Sequence, residues 1–167
     1  MKQIHFRAIE PEDLDILYHI ENDAELWNVG TTNVPYSRYL LHDYVANCKN
    51  DIYADRQVRM IVENTDDEIV GVVDLVNFDP SNRRAEVGLI VLNAYRNNGY
   101  GTAIIKRIID YSHRILHLHQ LYAYVDLTNT VSLRLFRKAD FKYETLIKEW
   151  LYDGEKYSDS VLFQYFF

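Results

Sequence analysis

The sequence predicts an α/β domain built on a mixed, mostly antiparallel sheet with helices on both faces. Two observations carry this prediction. Segments of alternating polarity and segments of helical period follow one another in the order β-α-α-β-β-β-α-β-α-β-β. One strand is joined to the next through a helix, which predicts a right-handed crossover and a central parallel pair. Short turns typical of antiparallel hairpins join most of the other strands.

The first half of the chain begins with a strand and two helices. Residues 2–9 alternate in polarity as a strand, and Pro11 suits the first turn of the helix that follows. Ser37 is predicted to cap a second helix over 38–52. Three strands at 56–63, 69–78 and 84–92 then form a meander, in which Gly71 marks a bulge or the close approach of a neighbouring strand.

A strand, a glycine turn and a helix meet between residues 91 and 112. Gly99 and Gly101 lie in a polar turn, and the helix that follows places its isoleucines on one face. Such a helix N-terminus suits an anion, because unpaired backbone N–H groups point outward at the positive end of the helix dipole. Ile104 stands where the dinucleotide fingerprint needs a third glycine, and the Walker pattern is absent. From these residues alone, the turn is either a phosphate site of another kind or only a tight turn.

The C-terminal third adds a strand, a short helix and a hairpin. Residues 121–126 read as the strand that pairs in parallel with 84–92, and a helix over 131–138 follows. The dipeptide Asp153-Gly154 joins two alternating segments, at 143–152 and 157–166, and is among the strongest hairpin signals.

Length and composition bound the class of protein. The 167 residues suit a single domain over 1–167. The net charge of −7 argues against a nucleic-acid partner, because nucleic-acid-binding domains are usually basic. The single cysteine, Cys48, rules out an internal disulfide and favours a reducing, cytoplasmic location. No apolar run approaches the roughly 18 residues of a spanning helix, and the polar start is unlike a signal peptide, so we expect no membrane association.

Acidic residues concentrate in the first half. Residues 1–86 carry 8 Lys/Arg and 17 Asp/Glu, whereas residues 87–167 carry 10 and 8. Two interpretations stay open. Either these charges form a solvated acidic face, or the first half receives a cation while the second half holds an anion.

Two motifs in register resemble those of the GNAT superfamily of N-acetyltransferases. The stretch Arg96-Asn97-Asn98-Gly99-Tyr100-Gly101 matches its [Q/R]-x-x-G-x-[G/A] signature. The stretch Asn129-x-x-Ser132-Leu133-x-Leu135-Phe136-x-Lys138-x-x-Phe141 is similar to its second motif. Within the superfamily, the stretches 71–76, 83–86, 118–126 and 153–157 resemble bacterial spermidine (diamine) acetyltransferases. The related ribosomal-protein alanine acetyltransferases share the last of these.

The resemblance implies a GNAT fold and acetyl-CoA as the cosubstrate. The pyrophosphate is expected on main-chain N–H groups of the glycine turn, and the pantetheine along the preceding strand, in the gap where it splays from 120–126. A backbone N–H there would hold the acetyl carbonyl. The expected cofactor contacts are Leu89, Ile90, Val91, Arg96, Asn97, Asn98, Gly99, Tyr100, Gly101, Thr102, Asn129, Ser132, Phe136 and Lys138.

The implied reaction is acetyl transfer to a primary amine of a small cationic acceptor, with a polyamine such as spermidine favoured. Two alternatives stay open. The acceptor is a protein N-terminus or an aminoglycoside-type amine, or the protein is a non-catalytic CoA-binding module. The acidic first half suits all of these cations and does not discriminate between them.

A carboxylate is expected to take a proton from the amine, because an alkylamine with a pKa of about 10.4 is protonated at neutral pH. Glu86 is the first candidate for this general base, since it matches an acidic residue of the polyamine enzymes. An ion pair of Glu86 with Arg83 or Arg84 is the competing interpretation. The expected substrate contacts are Glu25, Trp27, Asp74 and Glu86.

Phe136 departs from the family pattern, because this position often carries a tyrosine that protonates the departing thiolate. Three explanations compete. A CoA-like thiol with a pKa of about 8.5 leaves without an acid, which we favour. Another hydroxyl, such as Tyr100 or Tyr124, substitutes. Or the protein is a weakened catalyst or a binding module.

His113 and His117 are four residues apart and share a helix face, but the spacing of His119 does not supply a third metal ligand beside them. No cysteine supports such a site either, so we expect no metal. The apolar tail at 161–167 packs either within the domain or against a partner, which leaves a homo-oligomer open.

Overall fold

A computed structural model describes residues 2–23, 26, 34–49 and 51–167. Its strands are β1 His5–Ala8, β2 Val58–Glu63, β3 Ile69–Asp79, β4 Arg84–Val91, β5 Gln120–Asp126, β6 Lys142–Tyr152 and β7 Tyr157–Phe166. Its α-helices are α1 Leu14–Glu21, α2 Arg38–Asn47, α3 Ile52–Asp55, α4 Tyr100–Arg114 and α5 Thr130–Lys138. Among these described helices, none has the length and apolar character needed to cross a bilayer.

Within the described residues, the strands form one sheet in the order β1-β2-β3-β4-β5-β7-β6. β4 and β5 run parallel, and each of the other neighbouring pairs is antiparallel. The helix α4 connects the parallel pair. The predicted mixed sheet with a central parallel pair is therefore confirmed.

Helices cover both faces of the sheet. Successive residues of a strand point to opposite sides, so the strands present apolar side chains to a helix layer on each face. On one face, Val73 and Leu75 pack with the buried isoleucines of α4 and with Leu133 of α5. On the other face, Val72 packs with Leu17 and Ile20 of α1, and residues of α2 cover the edge of this second cluster. These two apolar layers hold β4 between α4 on one side and α1 on the other.

The helix predicted over 38–52 is wrong beyond Asn47. Its start is confirmed, since the Ser37 hydroxyl accepts a hydrogen bond from the Leu40 amide at 3.1 Å. The helix ends at Asn47, however, and the chain turns into a helix again at Ile52. The side chain of Asp51 accepts from the Tyr53 amide at 2.9 Å. An Asp side chain that captures a nearby N–H competes with helix continuation and caps a new helix.

Candidate active site

The parallel strands β4 and β5 pair over only a short distance and then separate. Their register pairs are Arg84 with Gln120, Ala85 with Leu121 and Glu86 with Tyr122, and the recorded pairing ends there. Beyond this point a cleft of about 790 Å³ opens, lined by β4 from Glu86 to Ile90 and by β5 from Tyr124 to Asp126. Because β5 has moved away, none of the described strands pairs with the β4 backbone groups that face the cleft.

The glycine turn joins the end of β4 to the start of α4. Arg96 Nε donates to the Val91 carbonyl at 3.0 Å, which fastens the turn to the strand. The turn needs left-handed backbone at Asn97, with a φ of 61°, and at Gly99, with a φ of 85°. The first N–H groups of α4 have no partner inside the helix, and its first turn holds no acidic residue. Exposed amides at the positive end of a helix dipole form an anion site.

The two glycines of the turn have different roles. A Cβ on Gly99 would meet nothing within 4 Å, so Gly99 is required for its backbone conformation. Gly101 lies in the first turn of α4, and a Cβ there would lie 3.4 Å from the Leu135 side chain, an ordinary van der Waals contact, so a small side chain would fit at this position. The sequence pattern alone did not separate these roles.

The helix α5 supplies the wall opposite β4. The Asn129 side chain caps this helix by accepting a hydrogen bond from the Ser132 amide at 3.0 Å. Of the predicted cofactor contacts, the cleft is lined by Leu89, Ile90, Asn129, Ser132 and Phe136. Val91 and the turn from Arg96 to Thr102 continue from the end of β4, whereas Lys138 is exposed at the far end of α5.

Glu86 lies half-buried on β4, at the point where the strands separate. Asn77 Nδ2 donates to its Oε2 at 2.8 Å. Burial raises the pKa of Glu86, and the hydrogen bond from Asn77 offsets only part of that rise. A carboxylate whose pKa is raised toward neutrality is a better proton acceptor at physiological pH.

The structure does not support the competing interpretation, in which Glu86 forms an ion pair with Arg83 or Arg84. Arg84 instead pairs with Asp79 at 3.2 Å. Arg83 Nε donates to the His117 carbonyl at 2.8 Å. Glu86 therefore keeps its negative charge uncompensated by either arginine.

Asp74 lies in the same cleft but is held by an arginine that the sequence reasoning missed. Arg59 Nε donates to Asp74 Oδ1 at 2.7 Å and Nη2 to Oδ2 at 2.9 Å, and Arg59 also pairs with Glu21. Although burial lowers the pKa of Arg59, the two carboxylates raise it overall. The cross-strand register, Arg59 opposite Asp74, is the signal that could have indicated this pair once the hairpin was aligned.

The remaining predicted substrate contacts, Glu25 and Trp27, lie outside the described residues. The charge of the cleft is nonetheless clear from its described lining. Two arginines, Arg56 and Arg59, face five carboxylates, those of Glu21, Asp55, Asp74, Glu86 and Asp126. An excess of negative charge in a cleft attracts a cationic ligand.

Phe136 forms part of the hydrophobic core beneath the cleft. Its ring packs edge-on against Phe141 at 5.0 Å and stacks on Phe163 at 5.9 Å. Of the two hydroxyls that could replace a tyrosine there, Tyr100 is buried beside Tyr95 and is not part of the cleft lining. Tyr124 lines the cleft and is 36% exposed. Tyr124 is therefore the better placed of the two.

A cluster of His5, Glu63 and Asp67 brings potential metal-ligand atoms within 4.8 Å of one another. Glu63 is already engaged, because Arg7 Nε donates to its Oε1 at 2.6 Å. A guanidinium on the central carboxylate disfavours a second cation there. Of the histidines noted in the sequence, His113 stacks on Phe167 at 5.0 Å.

Comparison with known proteins identifies the class. A family model for the GNAT acetyltransferase domain matches residues 3–142. The chain therefore belongs to the GNAT acetyltransferase family, is an N-acetyltransferase, and has the family's cosubstrate, acetyl-CoA.

Its relatives agree with the resemblance seen in the sequence. It is 26% identical to the spermidine N(1)-acetyltransferase of Vibrio cholerae over 94% of this chain and 89% of that protein. It is 28% identical to the spermidine N(1)-acetyltransferase of Escherichia coli K12 over 91% of this chain and 80% of that protein. The crystal structure of the Vibrio cholerae enzyme in complex with CoA and spermine superposes with a TM-score of 0.89. That comparison has 24% identity and covers 98% of this chain and 95% of the other, so it confirms the fold.

Proposed function

We propose that this N-acetyltransferase transfers the acetyl group of acetyl-CoA to a primary amine of a polyamine such as spermidine. The observation that carries the proposal is the position of Glu86, in an acidic cleft at the point where β4 and β5 separate. The names of the relatives, spermidine acetyltransferases, support the same acceptor class.

The acetyl donor would bind along β4 and the glycine turn. Backbone N–H groups from Arg96 to Thr102 would hold the pyrophosphate at the N-terminus of α4. The pantetheine would follow Leu89, Ile90 and Val91 through the gap between the strands, with Asn129, Ser132 and Phe136 on its other side. Lys138 remains a proposed contact at the outer end of α5.

Glu86 would act on the amine and the β4 backbone on the thioester. Glu86 accepts the proton that the ammonium must lose before its nitrogen lone pair can attack the acetyl carbon. A β4 N–H that lacks a strand partner stabilises the charge that develops on the carbonyl oxygen. The carbon–sulfur bond then breaks, and sulfur leaves as a thiolate, which a thiol pKa of about 8.5 permits without an acid. The nitrogen, which became positively charged on attack, releases its second proton to water and gives the neutral amide. Tyr124 is the candidate donor if the thiolate is protonated in the site.

The polyamine is favoured over the other acceptors by the length of the acidic lining. Asp126 lines the cleft four residues along β5 from Tyr122, the register partner of Glu86, and it accepts hydrogen bonds from the Thr128 and Ser158 hydroxyls. One ammonium can therefore meet the base while another meets this second carboxylate. A peptide N-terminus offers one cation and uses only part of this lining.

A panel of amines tests the acceptor. The kcat/KM for thiol release from acetyl-CoA should be highest with spermidine and spermine. It should be at least about tenfold lower with an alanine-ended peptide or an aminoglycoside, a difference of about 1.4 kcal/mol in transition-state stabilisation. A higher kcat/KM with the peptide or the aminoglycoside would contradict the polyamine proposal and identify that amine as the preferred acceptor. Measurable CoA binding with no release from any amine would favour the non-catalytic module instead.

The pyrophosphate assignment is tested by Gly99→Val. Valine at a φ of 85° is strained by about 1–3 kcal/mol, and relief of that strain turns the amides of the turn away from the anion. We expect CoA affinity, measured by isothermal titration calorimetry, to fall by at least about tenfold. Gly154→Val is the matched control, since Gly154 has a φ of 101° and open space around it, but lies in the β6–β7 hairpin. Equal affinities in the two variants would contradict the assignment.

We also propose a reducing, cytoplasmic location for this protein. A further proposal is that the chain assembles with copies of itself. β6 is an edge strand of the sheet, and it exposes Tyr143, Trp150 and Tyr152. The spermidine N-acetyltransferase of Vibrio cholerae has been solved as a dodecamer. Sedimentation velocity that finds only monomers at micromolar concentration would exclude this assembly.

A further inference from the structure

We propose that Asn77 is a positioning residue for acetyl transfer, whose side-chain amide holds the Glu86 carboxylate in the cleft with its other oxygen directed to the acceptor. This inference rests on the proposed role of Glu86 as the general base. The two are separable, because the contact between Asn77 and Glu86 can be measured without turnover.

Asn77 reaches Glu86 because β3 carries an extra residue there. Val76 pairs with Glu86 and Asp79 with Arg84, so two residues of β3 oppose the single β4 residue between these pairs. Such a bulge bends a strand and redirects a side chain. The backbone of Asn77 adopts a φ of 51°, a left-handed conformation that asparagine tolerates better than most residues.

The bulge is fixed from its other side. Phe78 N donates to the Arg56 carbonyl at 3.0 Å, and the buried Phe78 ring meets Tyr53 edge-on at 5.1 Å. The residue next to Asn77 is therefore anchored to the segment after α3. An anchored backbone gives the amide of Asn77 a defined direction toward Glu86.

A neutral amide suits a general base better than an arginine would. The hydrogen bond from Asn77 orients the carboxylate and stabilises its charged form, but it adds no positive charge. A guanidinium in the same place would lower the pKa of Glu86 and weaken its basicity. Asn77 also does not titrate, so it holds Glu86 at every pH of interest.

Other titratable groups face Glu86 from the neighbouring elements. Tyr122 is its register partner on β5, and burial together with the charge of Glu86 raises the pKa of Tyr122. The ion pair of Arg84 with Asp79 lies one register pair away, and Asp74 lies two residues along β3 from Val76, held by Arg59. Glu21 of α1 completes that group, and the cleft further contains Asp55, Arg56, Tyr124 and Asp126. Among the described residues, the side-chain hydrogen bond to Glu86 comes from Asn77 and not from one of these titratable groups.

The variant Asn77→Gly removes the amide while keeping a residue that accepts the left-handed backbone. Loss of a charge-assisted hydrogen bond should raise the pKa of Glu86 further, by about one unit. The acid limb of the pH profile of kcat/KM should move up by the same amount, which lowers kcat/KM about tenfold below the limb. CoA affinity should not change. A carbon-13 NMR titration of the Glu86 carboxyl, without substrates, should show the same shift.

The control is Asp67→Gly, at a left-handed position in the turn between β2 and β3. It makes the same kind of change at the far end of β3, and its pH profile should match that of the unmodified protein. In a Glu86→Gln background, Asn77→Gly should have no further effect on the profile. An acid limb and an NMR midpoint that both stay in place in Asn77→Gly would overturn the inference. A shifted midpoint in a protein that acetylates no polyamine would support the contact and contradict the proposed acceptor.

Discussion

Replacement of Glu86 by glutamine is expected to lower kcat for amine acetylation by about 10²–10⁴-fold, the usual contribution of general base catalysis. Glutamine keeps the size of the side chain and can still meet the Asn77 amide through its own carbonyl oxygen. It cannot accept the proton of the ammonium at neutral pH. The affinity for CoA should stay within about twofold, because the glycine turn that we assign to the pyrophosphate is remote from Glu86 along β4.

The pH dependence provides the sharper measurement. The active form of Glu86 is the carboxylate, and burial raises its pKa above the ordinary value of about 4.3. The kcat/KM of the unmodified protein should therefore fall as pH decreases through this raised value, and Glu86→Gln should lack that limb. Glu144→Gln is the control, because Glu144 is an exposed carboxylate on β6. Unchanged turnover in Glu86→Gln would remove Glu86 as the base.

Features that depend on neighbouring residues in the chain were predictable from the sequence. The Asn129 cap, the Ser37 cap and the Asp153-Gly154 hairpin each rest on a side chain that bonds to backbone a few residues away. The glycine turn belongs with them, since its left-handed positions and the helix N-terminus are set within a few residues. The order of elements followed from polarity periods, because one face of each strand and helix must be buried.

Features that depend on register between distant strands were not predictable in the same way. The contact from Asn77 to Glu86 exists because a bulge shifts β3 against β4, and periodicity does not reveal where an extra residue is placed. The pair of Arg59 with Asp74 requires the β2–β3 register, so Asp74 looked like an open carboxylate in the sequence. The signal at Asn77 was the asparagine itself, a residue disfavoured inside a strand.

The two hydroxyl candidates show how the fold decides between residues that the sequence leaves equal. Tyr100 and Tyr124 were interchangeable as replacements for the missing tyrosine. Tyr100 begins α4 and turns into the core, whereas Tyr124 lies on the β5 segment that has separated from β4. Its ring rests against Trp150 at 5.6 Å. Of these two hydroxyls, only that of Tyr124 is therefore placed to act as the acid in the cleft.

Gly71 lies where β3 passes close to the backbone of β4. Its replacement by alanine, Gly71→Ala, should cause the largest loss of stability that we expect. Gly71 is buried in β3 opposite Val91, beside the register shift between Val62 and Glu63. An alanine Cβ would overlap the carbonyl oxygen of Ile90 and lie 3.2 Å from its carbonyl carbon. Backbone atoms of a paired strand cannot move aside as a side chain tip can, so β4 must shift and strand hydrogen bonds must lengthen.

We expect Gly71→Ala to lower the free energy of unfolding by about 3 kcal/mol and the Tm by roughly 6–12 °C, measured by urea and thermal unfolding. CoA affinity should fall as well, because Ile90 and Val91 belong to the strand on which the donor would lie. Gly88→Ala is the matched control on the partner strand, since its Cβ would come no closer than 4.0 Å to the Asp74 side chain. That variant should unfold within about 1 kcal/mol of the unmodified protein. Equal stability of the two alanine variants would mean that β3 and β4 do not approach as closely at Gly71 as the fold requires.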